Sequence, residues 1–222
     1  MQFSGEELTL KRIFNYLFGL YMITLGVAFS IKSGIGSAPV SSIPYAMNLI
    51  WSIEIGMATF LFHVLVVAIE LILLGRDFHK KHFLQVFVGV IFGAFTSFSV
   101  SLMYFIHPAD NFIISLLMSA LSIFCIAFGL FLYVPTNIIP LAIEGLTQAI
   151  AIVTNKAFST AKVFLDITVV LTALILSYGF MGQWRSVGIG TVLGALFIGN
   201  TVRLIHKIHN RLTGNAVNLK KM

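Results

Sequence analysis

The sequence predicts an all-α polytopic transmembrane helix bundle, with six spans, two short re-entrant helices and an inverted three-plus-three repeat. Three observations carry this. Apolar residues fill 58% of the 222 positions, charged ones only 10%, and mean hydropathy is +0.98. Soluble domains carry about a quarter charged residues, and a water-soluble core of this size could not enclose so much apolar surface, so lipid is the expected solvent. The few charges cluster in short connections between long apolar runs. The order of those runs is the same in both halves of the chain.

The first run, 13–32, is longer than a signal-peptide core and more spans follow it, so it reads as a retained first helix. Next come the polar break Lys32-Ser33-Gly34-Ile35-Gly36-Ser37-Ala38-Pro39 and a short apolar run, 39–52. Runs 56–75 and 83–106 complete the first half. The second half opens with 111–133, breaks at Val134-Pro135-Thr136-Asn137-Ile138-Ile139-Pro140, and continues with a short run, 139–153, and long runs 160–178 and 186–206. Crossing the hydrocarbon core takes about 20 apolar residues, which the six long runs meet and the two short ones do not. Irregular backbone at depth is tolerated only inside protein or beside a water-filled cavity. The small or locally hydrogen-bonding residues of the two breaks suit that setting, so the short helices read as re-entrant, with interfacial placement as the alternative. Pro39 and Pro140 read as first helical positions, where no N–H is needed.

Charge placement selects the orientation. With six spans and a cytoplasmic N-terminus, Lys11, Arg12, Arg76, Lys80, Lys81, Lys156, Lys162, Arg203, Lys207, Arg211, Lys220 and Lys221 are cytoplasmic, and only Lys32 and Arg185 are outside. Letting the short helices cross moves Arg76, Lys80 and Lys81 outside and weakens the bias. The positive-inside rule therefore favours six spans with both termini in the cytoplasm. The stripe Arg203, Lys207, Arg211 suggests contact with anionic lipid at that face.

The halves are expected to divide at residues 1–110 and 111–206, with 207–222 as a basic cytoplasmic tail. Val66-Val67 and Leu71-Ile72-Leu73 answer Val169-Val170 and Leu174-Ile175-Leu176 at an offset of 103 residues; Leu25-Gly26 answers Phe128-Gly129 at the same offset. Gly89-x-x-x-Gly93-Ala94 answers Gly190-x-x-x-Gly194-Ala195 at 101, and Ala38-Pro39-Val40 answers Ile139-Pro140-Leu141, also at 101. Three crossings per half oblige the second half to enter the membrane upside down, the plan of many secondary transporters. The Gly-x-x-x-Gly pairs read as helix-packing surfaces.

The segments Gly34-Ile35-Gly36-Ser37-Ala38-Pro39, Ile139-Pro140-Leu141-Ala142-Ile143-Glu144-Gly145-Leu146 and Gly190-Thr191-Val192-Leu193-Gly194-Ala195 resemble the YczE/YitT group of uncharacterised bacterial membrane proteins, closer to the YczE branch. The resemblance covers about residues 10–210. It implies a protein of the bacterial plasma membrane, described in that group as a transporter with no established substrate.

Ionisable groups inside a membrane are costly, about 2.5–3.5 kcal/mol each at a helix centre on insertion scales, so those present are the first functional candidates. Glu144 leads, one turn into the second short helix, where backbone N–H groups favour an anion. Asp166 lies inside the fifth span with Lys162 one turn earlier. His63 holds the equivalent place in the other half, and Thr59, His63 and Glu70 share one helix face. Glu70, close to the cytoplasmic end, is expected to reach toward water or Arg76. Ser37, Asn137 and Gln148 complete the candidate substrate- or ion-binding set, and Asn200 is a further cavity-lining candidate. No phosphate-binding loop, metal motif or nucleophile–base pair occurs, so neither enzymatic activity, a cofactor, a metal nor nucleic acid is expected. Cys125 reads as a small packing residue. The expected function is a small secondary transporter or permease; a pore or lipid scramblase, or a non-transporting scaffold, are the alternatives, and a homodimer is possible. The expected cavity is lined by 33–42, 136–148 and the polar faces of the second and fifth spans.

Overall fold

The computed structural model describes residues 9–106, 109 and 111–213. Lys220, Lys221 and the rest of the expected tail beyond 213 lie outside the described residues. Among the described residues there are eight α-helices and no strand. The helices are α1 (Leu10–Lys32), α2 (Ser42–Trp51), α3 (Ile55–Leu74), α4 (Leu84–Leu102), α5 (Phe112–Tyr133), α6 (Ala142–Thr154), α7 (Phe158–Met181) and α8 (Ile189–Thr213). Six of them, extended in places by a 3-10 turn, are long and apolar enough to cross a bilayer. Large apolar side chains such as Phe14, Ile72, Phe87, Ile113 and Ile175 point outward, as a lipid-facing surface requires.

The expected boundaries hold within a few residues except at two places. Helix α8 continues past 206 to Thr213, so Lys207 and Arg211 are helical. The 101-residue match that placed Pro140 at a helix start does not hold either: α6 begins at Ala142 with Leu141 as N-cap, whereas Pro39 does open a helical turn. The two starts correspond at an offset of 103.

That offset recurs in the geometry. Gly34 and Asn137 both take left-handed backbone in the breaks, and Ser52 and Asn155 both do so at the ends of the short helices. The Ser30 hydroxyl accepts from Ala38 N at 3.0 Å, and the Tyr133 hydroxyl accepts from Leu141 N at 2.6 Å. Both hydroxyls sit near the end of a long helix and cap the chain as it turns into a short one.

Helices α1 and α5 form the centre. A Cβ on Gly26 would lie 2.8 Å from Ser122 O, and one on Gly129 would lie 2.6 Å from Gly19 O, each pair 103 residues from the other. Glycine is required here because the backbones touch, the same requirement that produces small-residue interfaces in membranes. Arg12 Nε donates to Thr136 O at one end of this pair, while Lys32 Nζ donates to Ile106 O at the opposite end of α1. The crossing is antiparallel, so equivalent helices of the two halves run in opposite directions.

We refer to the end where α1 begins and α8 finishes as the terminal face, and to the opposite end as the far face. Lys11, Arg12, Arg76, Lys80, Lys81, Lys156, Lys207 and Arg211 fall at or near helix ends on the terminal face, against Lys32 and Arg185 on the far face. Both short helices return to the face they came from. Trp51 at the end of α2 packs its ring on Phe180 near the end of α7, with ring centroids 5.5 Å apart, and Ile43, Ala46 and Ile50 share a cluster with Val170, Ala173 and Leu174. Helix α2 therefore runs along α7 to the far face. Helix α6 packs on α3 and finishes beside its terminal-face end, where Ile152 and Leu74 line one cavity.

The halves differ in how their last two helices pack. Helices α3 and α4 are zipped together, with Gly93 closing on the Gly56 backbone and Gly89 lying under the His63 ring. Their counterparts α7 and α8 barely touch. The second Gly-x-x-x-Gly pair packs elsewhere: Gly190 meets the backbone of Ile35 and Gly36, and Gly194 meets Pro39.

Candidate functional site

The space left between α7 and α8 is a cavity of about 470 Å³. Its inner wall is built from the starts of both short helices, Pro39 and Val40 from one and Leu141, Ile143 and Glu144 from the other, together with Ile23 of α1 and Ile126 and Leu130 of α5. Its polar groups are Glu144, Ser159, Lys162, Asp166, Asn200 and Arg203. The remaining lining is apolar, and exposed Val163 and Leu196 flank the opening between the two helices.

Glu144 is the third residue of α6. Ten residues separate it from the end of that helix, about 15 Å at 1.5 Å per residue, which is half the thickness of a hydrocarbon core. Its Oε2 accepts from the Tyr133 hydroxyl at 2.8 Å and from Leu141 N at 3.0 Å. Both bonds are made by that one oxygen, and Glu144 lines the cavity. These two bonds hold the carboxyl group over the first turn of α6. Tyr16, whose hydroxyl donates to Ile139 O at 2.9 Å, packs its ring 5.5 Å from that of Tyr133 and fixes the chain that leads into α6. Neither tyrosine stands out in the sequence, because an aromatic in an apolar helix gives no sign that its hydroxyl reaches a helix start eight or more residues away. At the place of Glu144 in the first half stands Ser41, so the carboxylate belongs to one half only.

Lys162 pairs with Asp166 on α7, as their spacing suggests, and both are about one-third exposed to the cavity. Asn200 and Arg203 face them from α8. Arg203, one of the three residues of the basic stripe, is thus also part of the cavity wall.

The other candidates lie elsewhere. The expected cavity included the polar face of the second span; in the structure α8 takes that place, because α3 is sealed against α4. Thr59, His63 and Glu70 do share a buried face, with exposures of 4%, 3% and 0%. His63 Nδ1 lies 2.8 Å from Thr59 O and its ring packs on Phe92. Glu70 does not reach toward water or Arg76: its Oε1 lies 2.5 Å from His82 Nδ1, inside the protein. The reason is that the chain after α3 folds back and delivers His82 over the end of the helix. Ser37 is a structural joint; its N–H and hydroxyl both donate to Ser186 O, and its own carbonyl accepts from Thr191. Asn137 serves as the left-handed hinge of the second break. Gln148 lines a separate cavity at the terminal face, beside Glu70. Cys125 is buried, in keeping with a packing role.

Residues 10–207 match a family model described as a family of unknown function (DUF6198). No curated protein matches the chain, and no solved structure does.

Proposed function

The chain belongs to the DUF6198 family of unknown function, so its activity is read from its own geometry, and we propose that it is a small secondary transporter of the bacterial cytoplasmic membrane, with its terminal face in the cytoplasm. The observation that carries this reading is the asymmetry between equivalent seams: α3–α4 closed, α7–α8 open over a cavity that both short helices reach. Two halves of one plan holding two conformations is what alternating access requires, since exchanging those conformations moves the opening from one face to the other. Glu144 is the binding group. A carboxylate at mid-depth on the cavity wall attracts a cationic substrate group, and the apolar walls accept the rest of an amphipathic molecule.

The seams test this directly. Spin labels on Val64 and Val90 report α3–α4, and labels on Ile167 and Phe197 report α7–α8, in a Cys125→Ala background. The expected result is two distances at each seam, with populations that move oppositely when conditions change. One fixed distance at each seam contradicts alternating access.

A second reading has its own support. The α7–α8 opening is lateral and flanked by exposed apolar residues, which suits passage of a lipid along the groove. Fluorescent-lipid flipping in proteoliposomes that is abolished by bulky substitution at Ala195 favours the scramblase; flipping at the rate of empty vesicles eliminates it.

A further inference from the structure

The terminal face holds a second cavity, of about 490 Å³, between the end of α3, the turn that follows it and α6. Glu70 lies in its wall and is fully buried. Both of its protein donors crowd one oxygen: His82 Nδ1 lies 2.5 Å from Oε1, and Gln85 Nε2 donates to the same atom at 3.4 Å. Among the described residues Glu70 Oε2 has no partner, and neither does Gln85 Oε1. The amide comes this close only because residue 145 is glycine; a Cβ there would lie 2.5 Å from both amide heteroatoms.

Two bare acceptors in one buried cluster are costly, and a buried carboxylate short of donors is more so. One proton on Oε2 removes the buried charge and supplies the donor that the cluster lacks. A metal cation fits poorly, because hard cations take about six or more oxygen ligands, and the described residues contain no group of three acidic, histidine or cysteine side chains able to hold one. We propose that Glu70, His82 and Gln85 form a single-proton binding site, reached from the terminal face through this cavity, and that the bound proton is the coupling ion of the transporter.

The link to the substrate cavity is α6. Neighbouring residues of that helix, Glu144 and Gly145, border the two cavities on opposite sides, so a shift of α6 that opens one changes the packing of the other. The charged and titratable groups around the site come from the connection between α3 and α4: Asp77, His79 and Lys81. Helix α6 contributes Gly145, Gln148, Ala149 and Ile152, none of them charged, and α4 contributes Gln85.

Proton binding is measured without any substrate, so it fails or stands separately from the transport reading on which the coupling role rests. Infrared difference spectra between acid and alkaline buffers, on protein in lipid nanodiscs, follow the protonated-carboxyl stretch. The expected result is a titrating band that Glu70→Gln removes and Glu144→Gln retains. Native and Glu70→Gln spectra that titrate alike overturn the proposal, since the bands of the other carboxyls, Glu54 among them, are common to both. Should Glu70→Gln not fold, Gly145→Ala decides, because it displaces Gln85 and keeps every carboxyl. A shifted midpoint supports the site, and an unshifted one overturns it.

Discussion

The Tyr133 hydroxyl donates to Glu144 Oε2 across 2.8 Å, and at the equivalent place in the other half Ser30 has no acid to hold. The same hydroxyl also accepts from Leu141 N, so one tyrosine anchors both the carboxylate and the first turn of its helix. Removing it by Tyr133→Phe leaves Leu141 N bonded to the carboxylate but takes away the second donor. Buried hydrogen bonds to a charged group contribute about 1.5–3 kcal/mol. The variant is expected to melt earlier than the native protein in nanodiscs by a corresponding amount. A melting temperature unchanged within error removes Tyr133 from the account.

The α1–α5 crossing predicts an opposite response at two glycines. In Gly26→Ala the new methyl meets Ser122 O and the Ile126 backbone at under 3 Å, which obliges the helices to separate, and overpacking of this kind costs about 1–3 kcal/mol. In Gly199→Ala the methyl meets nothing within 4 Å, and replacing glycine inside a helix gains about 0.5–1 kcal/mol. Thermal melting of the two variants is expected to move in opposite directions.

Glu54 at the far face predicts a pH dependence. Burial alone would raise its carboxyl, but the N–H groups of Gly56 and Met57 and the Ser97 hydroxyl outweigh that and hold it below the ordinary value. A carboxylate whose pKa is lower folded than unfolded stabilises the fold above its unfolded value, about 4.3 for glutamate, and loses that contribution as pH falls through the folded value. The cap itself, accepted from Met57 N at 2.9 Å, contributes about 1 kcal/mol. The stability difference between native protein and Glu54→Gln is expected to shrink on acidification and to be constant above pH 6. A difference independent of pH contradicts the assignment.

Placement of the terminal face predicts one-sided labelling. Single cysteines at Lys80 and Arg185, in the Cys125→Ala background, are expected to react with an impermeant reagent from the cytoplasmic and external sides respectively in oriented vesicles. Labelling in the reverse sense inverts the topology.

Much of this bundle was legible because lipid demands one thing of a helix, about 20 apolar residues, and a sequence shows that without reference to its neighbours. The repeat was legible for a related reason: Leu25-Gly26 and Phe128-Gly129 keep their spacing since both pack at the α1–α5 crossing. Partners were not legible. A helix in lipid is apolar on every side, so periodicity does not say which face meets which helix. His82 and Gln85 therefore gave no sign of holding Glu70, and Gly190 and Gly194 read as a helix seam although they pack against the first break. The proline match at 101 residues misled for a simpler reason: Pro140 stands two residues before its helix, and the hydroxyl caps on Ala38 and Leu141, with the left-handed residues around them, reveal the true register.

If the protein is a transporter, the cavity shared by Val40 and Glu144 opens to one face at a time, and the accessibility of a single cysteine at Val40 reads this out. Val40 touches that cavity without belonging to its polar set. Ser159 and Lys162 near the start of α7 and Arg203 toward the end of α8 place the cavity on the terminal-face side. Val40→Cys in the Cys125→Ala background is therefore expected to react with an impermeant thiol reagent from the cytoplasmic face in this state, from the external face once the population is shifted, and never from both in one state. A cysteine that reacts from neither face, or from both at once in a single state, contradicts it.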